Sequence, residues 1–305
     1  MLAIPESGLR LSVEQHNAKL GVLVDWIEGS ALFLQQRVSW SDVIDCLCEE
    51  NIYHDQDFAA EFVEIAWAEL YRRSRRVSDG FPFDVQGRTI EATHRWTGVI
   101  PYSFCLWLSL VATSPGWRKT VTPDYSTQGA LFERLAAESM KALGWAVLYT
   151  GWSRTNMTDL STLVSSIATH LDEPVQAGAT KRWTKEKAKD AGLDIVCRLP
   201  FIDRDTGDPR FLFQCASGGD WEKKLCTPNI RRWEKLIDFA NPPQRGFAMP
   251  FCIQDDEFRQ SALTAEGVIL DRLRLVDGEP GWEPSALRAE IRKWLQPRVR
   301  VLPVR

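Results

Sequence analysis

Three oxygen-bearing side chains stand out because of their types and their order along the chain. Glu133 lies in a segment with helical spacing, GALFERLAAESMKALGW, whereas Asp194 and Gln214 lie in two short apolar segments, AGLDIVCRLP and RFLFQCAS. A helical Glu and polar oxygens from two neighbouring strands can converge on one divalent cation, because Mg²⁺ prefers a few oxygen ligands and retains several waters. A metal held in this way can generate hydroxide and stabilise a phosphate undergoing substitution. The pattern therefore predicts a site for one divalent cation.

Residues 121–305 carry alternating helix and strand patterns that could position these side chains. The segments, in order, are a helix in QGALFERLAAESMKAL, a strand in WAVLYTG, a helix in TNMTDLSTLVSSIATHL, strands in GLDIVCRL and FLFQCAS, a short helix from GGDWEKKL that NIRRWEKLIDFA extends or follows, a strand in GFAMPFCI, a helix near DDEFRQSAL, a strand near GVILDRLRLV and a last helix in EPSALRAEIRKWL. This order predicts an α/β fold in which helices flank a mixed sheet. The Asp-, Gly- and Pro-rich turn FIDRDTGDPR predicts a hairpin or meander between the strands that carry Asp194 and Gln214.

The first part of the chain has helical patterns instead. They lie in SVEQHNAKLGVLVDWIEGSALFLQQR, SWSDVIDCLCEEN and DQDFAAEFVEIAWAELYRRSRR, and the turn-rich patch VSDGFPFDVQGRT interrupts them. Pro and Gly punctuate the stretch 114–127, which is therefore the best boundary candidate. We predict an all-helical N-terminal domain over residues 1–120 and the α/β domain over residues 121–305.

The charge differs between these two parts. Residues 1–120 contain 11 Lys and Arg against 16 Asp and Glu, whereas residues 121–305 contain 26 against 25. The net charge of the whole chain is −4, so this is not a polycation built to coat nucleic acid. A polyanion is expected to bind the C-terminal part. The acidic helical part is better suited to a protein partner, a second copy of the chain or a regulatory element.

Cysteine usage and the N-terminus indicate a cytoplasmic protein. The seven cysteines are scattered and have no zinc spacing, which predicts buried free thiols in a reducing compartment. The start of the sequence, MLAIPESGLRL, lacks the features of a signal peptide. The most apolar run, TGVIPYSFCLWLSLVAT, contains Pro101 and is shorter than the roughly 20 residues that span a bilayer. We therefore expect no membrane association.

Residues from about 126 to 255 resemble the core of the restriction-endonuclease-like superfamily, the PD-(D/E)XK nucleases. That family carries a Glu on a helix, an Asp near a strand end, a (D/E/Q)-x-K motif on the strand that follows a short hairpin, and then a helix. The FE of GALFERLAAE supplies Glu133, the LD of AGLDIV supplies Asp194, and Gln214 replaces the second acid. The resemblance implies a Mg²⁺- or Mn²⁺-dependent endonuclease that hydrolyses DNA in restriction or phage defence, with Glu133, Asp194 and Gln214 as metal ligands.

The sequence departs from the family motif at two positions. Gln214 offers a carbonyl oxygen but no charge, and Ala216 occupies the position of the family lysine. Relocated lysines occur in this superfamily, so the resemblance implies Lys224, with Lys223 as second choice, as the cation beside the attacking water. The alternative is a nuclease-fold protein that has lost catalysis and binds nucleic acid or protein.

Basic and glycine-containing segments supply candidate phosphate contacts. KRWTKEKAK contributes Lys181, Arg182, Lys185 and Lys187, and SGGD contributes Ser217 and Gly218 at a predicted helix start. Ordinary interpretations remain open for each feature. The basic stretch and RRWEK (231–235) also suit a solvated surface, Glu133 suits an exposed helix face, and Asp194 suits a turn at a strand edge.

Overall fold

The computed structural model describes residues 1–9, 19–77, 80–114, 116–117, 124–151, 159–179, 181, 192–203, 207–278 and 281–305. Its helices are α1 (Leu20–Leu34), α2 (Trp40–Glu49), α3 (Gln56–Arg75), α4 (Ile100–Thr113), α5 (Tyr125–Ala142), α6 (Leu160–Leu171), α7 (Ile230–Trp233), α8 (Asp255–Ala265), α9 (Arg272–Val276) and α10 (Ser285–Val299). Its strands are β1 (Val38–Ser39), β2 (Phe83–Gln86), β3 (Thr89–Ala92), β4 (Ala146–Tyr149), β5 (Ile195–Arg198), β6 (Arg210–Cys215), β7 (Gln244–Ala248) and β8 (Gly267–Leu270). None of the described helices combines the length and the apolar character needed to cross a membrane.

The chain divides into two compact units, each described here by itself. The first, the helical unit, contains Met1–Asp124, Pro250–Ile253 and Arg272–Arg305, and the second, the sheet unit, contains Tyr125–Met249 and Gln254–Asp271. The boundary near residue 124 lies close to the one expected from sequence. The C-terminal stretch, which we expected with the α/β part, packs with the helical unit because α10 places Trp294 against Phe104 and Trp107 of α4, at ring-centroid distances of 5.5 and 5.1 Å.

The helical unit is not all-helical, so that part of the prediction is wrong. Strands β1, β3 and β2 form a three-stranded antiparallel sheet in that order. The turn-rich patch forms the β2–β3 hairpin, in which Gln86 pairs with Thr89 across a two-residue turn. Gly87 occupies the left-handed region with φ +55°, and a glycine permits such a tight turn without steric penalty.

A cluster of charged residues lies inside the helical unit. We call it the ionic cluster, and its members are Asp25, Glu28, Glu69, Arg73 and Arg272. Arg73 reaches Asp25 at 2.6 Å and Glu28 at 2.9 Å, and Arg272 reaches the same two carboxylates at 2.8 and 3.0 Å. Burial pushes the pKa of Asp25 upward, but the Arg272 and Arg73 guanidinium groups outweigh it and hold that pKa below its ordinary value. Paired charges of this kind are tolerated in a core because each is compensated by the other.

The sheet unit is built on a five-stranded mixed sheet, which confirms the predicted mixed α/β class. The strand order is β4-β5-β6-β7-β8. The pairs β4–β5 and β5–β6 are antiparallel, whereas β6–β7 and β7–β8 are parallel. Helix α5 packs against β4 and β6. The predicted order of helices and strands from α5 to α8 is therefore the observed order, apart from residues outside the described ranges.

The opposite face of this sheet carries α6 and the segment from α7 to residue 237. Val196 of β5 and Leu212 of β6 belong to a buried apolar cluster that also contains residues of α6, together with Trp233, Leu236 and Ile237. The expected helix NIRRWEKLIDFA is reduced to Ile230–Trp233. The chain leaves the helix after Trp233. Four residues later, Ile237 forms an isolated antiparallel bridge with Val175, which fixes the position of Ile237.

Candidate metal centre

Asp194 and Gln214 meet where β5 begins and β6 ends. Asp194 is 6% exposed, and its Oδ2 accepts a hydrogen bond from Gln214 Nε2 at 2.5 Å and one from the Cys215 backbone N–H at 2.7 Å. The backbone fixes the pair, because Asp194 N donates to Phe213 O at 2.9 Å. Alternate residues of a strand share a face, so Gln214 lies on the same face as Leu212. The two residues predicted from different strands are therefore in direct contact.

Glu133 reaches the same edge of the sheet from α5. The Tyr149 hydroxyl at the end of β4 donates to Glu133 Oε2 at 2.8 Å. The close approach depends on Gly151, because a Cβ at that position would overlap Glu133 Oε2 and lie 2.7 Å from Tyr149 Oη. Thr150 N donates to Asp194 O at 2.9 Å, so the end of β4 lies directly beside the start of β5. Glu133 is thus tied to the end of β4, and the end of β4 is tied to the start of β5, where Asp194 lies.

The Cys215 thiol experiences the negative charges of two predicted metal ligands. Burial raises the pKa of the Cys215 thiol, and the carboxylates of Asp194 and Glu133 each raise it further. Both acids are therefore within electrostatic reach of one buried group. A thiol with a raised pKa is an inert neutral neighbour and not a nucleophile.

Gly192 shapes the border of the centre. Its backbone is in the left-handed region with φ +74°, and a Cβ there would overlap Thr227 Cγ2 and lie 2.8 Å from Gln214 Oε1. Glycine is the residue that fits both the conformation and the space. The segment that begins at Thr227 is consequently seated against the residue two positions before Asp194.

The donor set fits a hard cation in part. Glu133 and Asp194 supply carboxylate oxygens of the kind that Mg²⁺ and Mn²⁺ prefer. Gln214 presents its nitrogen to Asp194, and that nitrogen also donates to Cys215 O at 3.0 Å, so a cation shared by both residues would require the amide to turn over. Within the described ranges, no group of three or more His, Cys, Asp or Glu side chains is placed to hold a metal ion. The three-ligand site remains a prediction, and in the present orientation Gln214 acts as a support for Asp194.

The predicted lysines lie on the surface. Lys223 and Lys224 belong to a single 3₁₀ turn, Trp221–Lys224, and not to a longer helix. Lys224 Nζ lies 3.8 Å from Asp220 Oδ1, and both side chains are exposed. Ala216, at the position of the family lysine, is 1% exposed. The described ion pair of Lys224 is therefore with Asp220, and a catalytic role for Lys224 or Lys223 remains a prediction.

The candidate phosphate contacts have separate outcomes. The hydroxyl and carbonyl of Ser217 accept from the Gln128 side chain of α5 at 3.3 and 3.5 Å, so this residue ties the end of β6 to α5. Gly218 precedes only a one-turn helix, which is too short to supply the expected anion site. Lys181 is exposed. Arg182, Lys185 and Lys187 lie outside the described residues.

Sequence reasoning missed the residues that support the acids. Tyr149, Gly151 and Gly192 each contact or border a predicted ligand, and Gln128 positions the end of β6. A signal existed for Tyr149, because a tyrosine at the end of an aliphatic strand usually seeks a partner for its hydroxyl. The glycines carry no such signal, since a loop glycine alone does not reveal what approaches it. Comparisons with protein-family models, with curated proteins and with solved structures give no match for this chain.

Proposed function

We propose that the chain is a metal-dependent endonuclease of the restriction-endonuclease-like type that hydrolyses phosphodiester bonds of DNA. The observation that carries the proposal is the contact between Asp194 and Gln214 where β5 begins and β6 ends, next to the end of β4 whose Tyr149 holds Glu133. The element order supports it as well. Helix α5 with Glu133, strand β5 preceded by Asp194, and strand β6 with Gln214 follow one another in the order that the resemblance implies.

Each side chain has a defined role in this proposal. Asp194 and Glu133 would hold Mg²⁺ or Mn²⁺, since carboxylates are their usual protein ligands. Gln214 and the Cys215 N–H orient Asp194, and Tyr149 orients Glu133. When bound, the metal supplies a hydroxide nucleophile at neutral pH and neutralises charge on the phosphate. Lys224 remains the proposed cation beside the attacking water, which requires it to leave Asp220 when substrate binds.

The second candidate is a binding protein that has lost catalysis. It is favoured by specific observations. The Gln214 amide donates to Asp194 and does not face it with an oxygen, and the buried Ala216 carries no charge. This candidate predicts nucleic-acid or protein binding without cleavage and without a metal-dependent thermal shift.

Cleavage of supercoiled plasmid and of labelled DNA and RNA, with Mg²⁺ and with Mn²⁺, separates the two candidates. The critical variant is Asp194→Asn, which keeps an acceptor for the Cys215 N–H and removes the charge. We expect its rate to fall about a hundredfold or more, equivalent to about 2.7 kcal/mol of transition-state stabilisation. Glu138→Gln is the matched control, because Glu138 lies on α5 and pairs at 2.7 Å with Lys141.

The result expected for the control is the wild-type rate. Cleavage that is undiminished in Asp194→Asn would contradict the assignment of the site. A wild-type protein that cleaves neither DNA nor RNA with either metal would favour the binding protein.

A further inference from the structure

A concave surface beside α7 is lined mainly by positive charge. The cavity has a volume of about 410 Å³, and its lining residues are Asn229, Arg231, Arg232, Lys235 and Leu236. Arg231, Arg232 and Lys235 are exposed, and the described residues of the lining include no carboxylate. Cations gathered in a concave surface without acids attract anions, because the low-dielectric wall focuses their field.

The local fold directs these cations outward. Trp233 is completely buried, and Leu236 is 1% exposed in the same apolar cluster. Asn229 fixes the start of α7, because its side-chain oxygen accepts from Arg232 N at 3.1 Å. Within the described part of the chain, neither Arg231 nor Arg232 forms an ion pair. Their charges are therefore available to a ligand.

A neighbouring cavity is less suited to an anion. It has a volume of about 540 Å³, shares Asn229 and Arg231 with the first, and adds Arg245. However, Glu234 and Glu266 also line it, and Arg245 Nη1 lies 3.8 Å from Glu266 Oε2. The three-cation cavity is consequently the better anion site of the two.

This cavity and the candidate metal centre are joined by one continuous segment. Thr227 is seated against Gly192 at the border of the centre, and Asn229 follows two residues later. Arg245 Nε donates to Pro228 O at 3.0 Å, which places the segment beside the start of β7. The cavity therefore lies on the same segment that borders the candidate metal centre.

We infer that Arg231, Arg232 and Lys235 bind backbone phosphates of the polynucleotide that the candidate metal centre would cleave, at positions outside that centre. The inference rests on the proposed function, because it takes a nucleic-acid strand as the substrate of the centre. The cavity reads no bases. Its ligand is a run of phosphodiester groups, and a free phosphate or nucleotide would occupy only part of it.

The test measures DNA binding by the full chain in EDTA, where no cleavage occurs. Anisotropy of a labelled duplex is titrated over a range of salt for wild type, for Arg231→Gln/Arg232→Gln, and for the matched control Lys141→Gln/Arg259→Gln. We expect the first variant to bind about tenfold or more weakly and to lose about 1.8 from the slope of log K against log salt, since each phosphate contact contributes about 0.9. The control removes two positive charges from the sheet unit at other places and should retain the wild-type slope.

Equal affinity and slope in the Arg231→Gln/Arg232→Gln variant would overturn the inference, and so would a wild type that does not bind duplex or single-stranded DNA. Inorganic phosphate that displaces the duplex at matched ionic strength would also overturn it, because the site would then be one for a small anion. Cleavage assays keep this failure separate from failure of the proposed function. If the surface acts as inferred, the variant raises KM and leaves kcat unchanged, whereas Asp194→Asn lowers kcat whether or not the surface binds DNA.

Discussion

The two units hold their buried carboxylates in different ways. In the ionic cluster, Asp25 and Glu28 are each bonded by the guanidinium groups of Arg73 and Arg272 at distances of 2.6 to 3.0 Å. In the sheet unit, Asp194 Oδ2 is held by the Gln214 amide and by a backbone N–H, both of which are neutral donors. The difference teaches that Asp25 and Glu28 are compensated by guanidinium groups inside the core, whereas the hydrogen bonds to Asp194 Oδ2 fix the orientation of that carboxylate.

The ionic cluster is where a single substitution should have the largest effect. Arg73→Met removes the partner of Asp25, Glu28 and Glu69 and leaves buried carboxylates with one fewer cation. We expect the free energy of unfolding to fall by about 3–5 kcal/mol, which urea titration of the variant measures. A purely structural cluster should leave the proposed DNA cleavage unchanged below the melting temperature.

The matched control for Arg73→Met is Arg305→Met. Arg305 pairs with Glu49, whose side chain is 65% exposed, so it represents a charge pair at the surface. Surface pairs contribute little, and we expect a change within about 1 kcal/mol. Equal losses for Arg73→Met and Arg305→Met would show that the distinction between buried and exposed pairs does not govern this unit.

The next largest effect is expected at the border of the metal centre. Gly192→Ala combines a left-handed backbone with overlap against Thr227, and we expect a loss of about 2–4 kcal/mol together with weaker cleavage. Gly144→Ala is the control, since Gly144 has φ +84° but nothing within 4 Å of the added carbon. It should show only the cost of a left-handed backbone at a residue with a Cβ, a loss of about 1 kcal/mol in the free energy of unfolding. Equal losses of unfolding free energy in Gly192→Ala and Gly144→Ala would mean that the space beside Gly192 is not restricted.

Sequence patterns predicted the scaffold of the centre better than its contacts. Leu131 and Leu135 mark the buried face of α5, and the turn after β5 marks the connection to β6, so the order of the elements could be predicted from periodicity. The Glu133–Tyr149 hydrogen bond joins two elements, and it forms only because Gly151 leaves room for it. No local pattern encodes such a contact.

Two further features could not be predicted for a related reason. The orientation of the Gln214 amide is set by two acceptors, Asp194 Oδ2 and Cys215 O, which meet only in the folded sheet. The placement of α10 depends on which element packs against its apolar face. An amphipathic pattern predicts that one face is buried, but it does not identify the packing partner. Trp294 packs between Phe104 and Trp107 of a helix almost 200 residues earlier in the chain.

Each unit contains a glutamine that donates a hydrogen bond to an aspartate, and the two pairs differ in exposure to solvent. Gln214 Nε2 donates to the buried Asp194, and Gln86 Nε2 donates at 2.6 Å to Asp84 at the exposed hairpin of the helical unit. Gln214→Glu introduces an acid at this position and places two carboxylates together where β5 begins and β6 ends. Without metal we expect a loss of about 1–2 kcal/mol, since like charges with little solvent repel and a hydrogen bond is lost.

Added Mn²⁺ should restore the stability of Gln214→Glu, because an ion that binds only the folded state at a hundred times its Kd contributes about 2.7 kcal/mol. Thermal unfolding with and without Mn²⁺ measures this effect. Gln86→Glu makes the same chemical change in solvent and should show neither the loss nor the recovery. A Gln214→Glu protein that is as stable as wild type without metal and indifferent to Mn²⁺ would contradict a cation site at Asp194.

The smallest effect concerns pH and distinguishes His170 of the sheet unit from Asp25 of the ionic cluster. His170, near the end of α6, is half-buried, and its Nε2 lies 3.3 Å from Ala146 O. Burial lowers the pKa of His170, so the folded state favours the neutral ring. The resulting stability is fully present above the unfolded-state pKa of about 6.5 and is lost as pH falls below it. Asp25 has a lowered pKa too, but it starts from an ordinary value of 3.8, so its contribution does not change near neutral pH.

We therefore expect wild-type stability to decrease by less than about 1 kcal/mol between pH 7 and pH 5 because of His170. His170→Gln should flatten that part of the profile, and His54→Gln, at an exposed position of the helical unit, should leave it unchanged. Urea midpoints at several pH values provide the measurement. A steeper fall in His170→Gln than in wild type would mean that the ring is charged in the folded protein, and the half-buried contact with Ala146 would then have to be a hydrogen bond from an imidazolium.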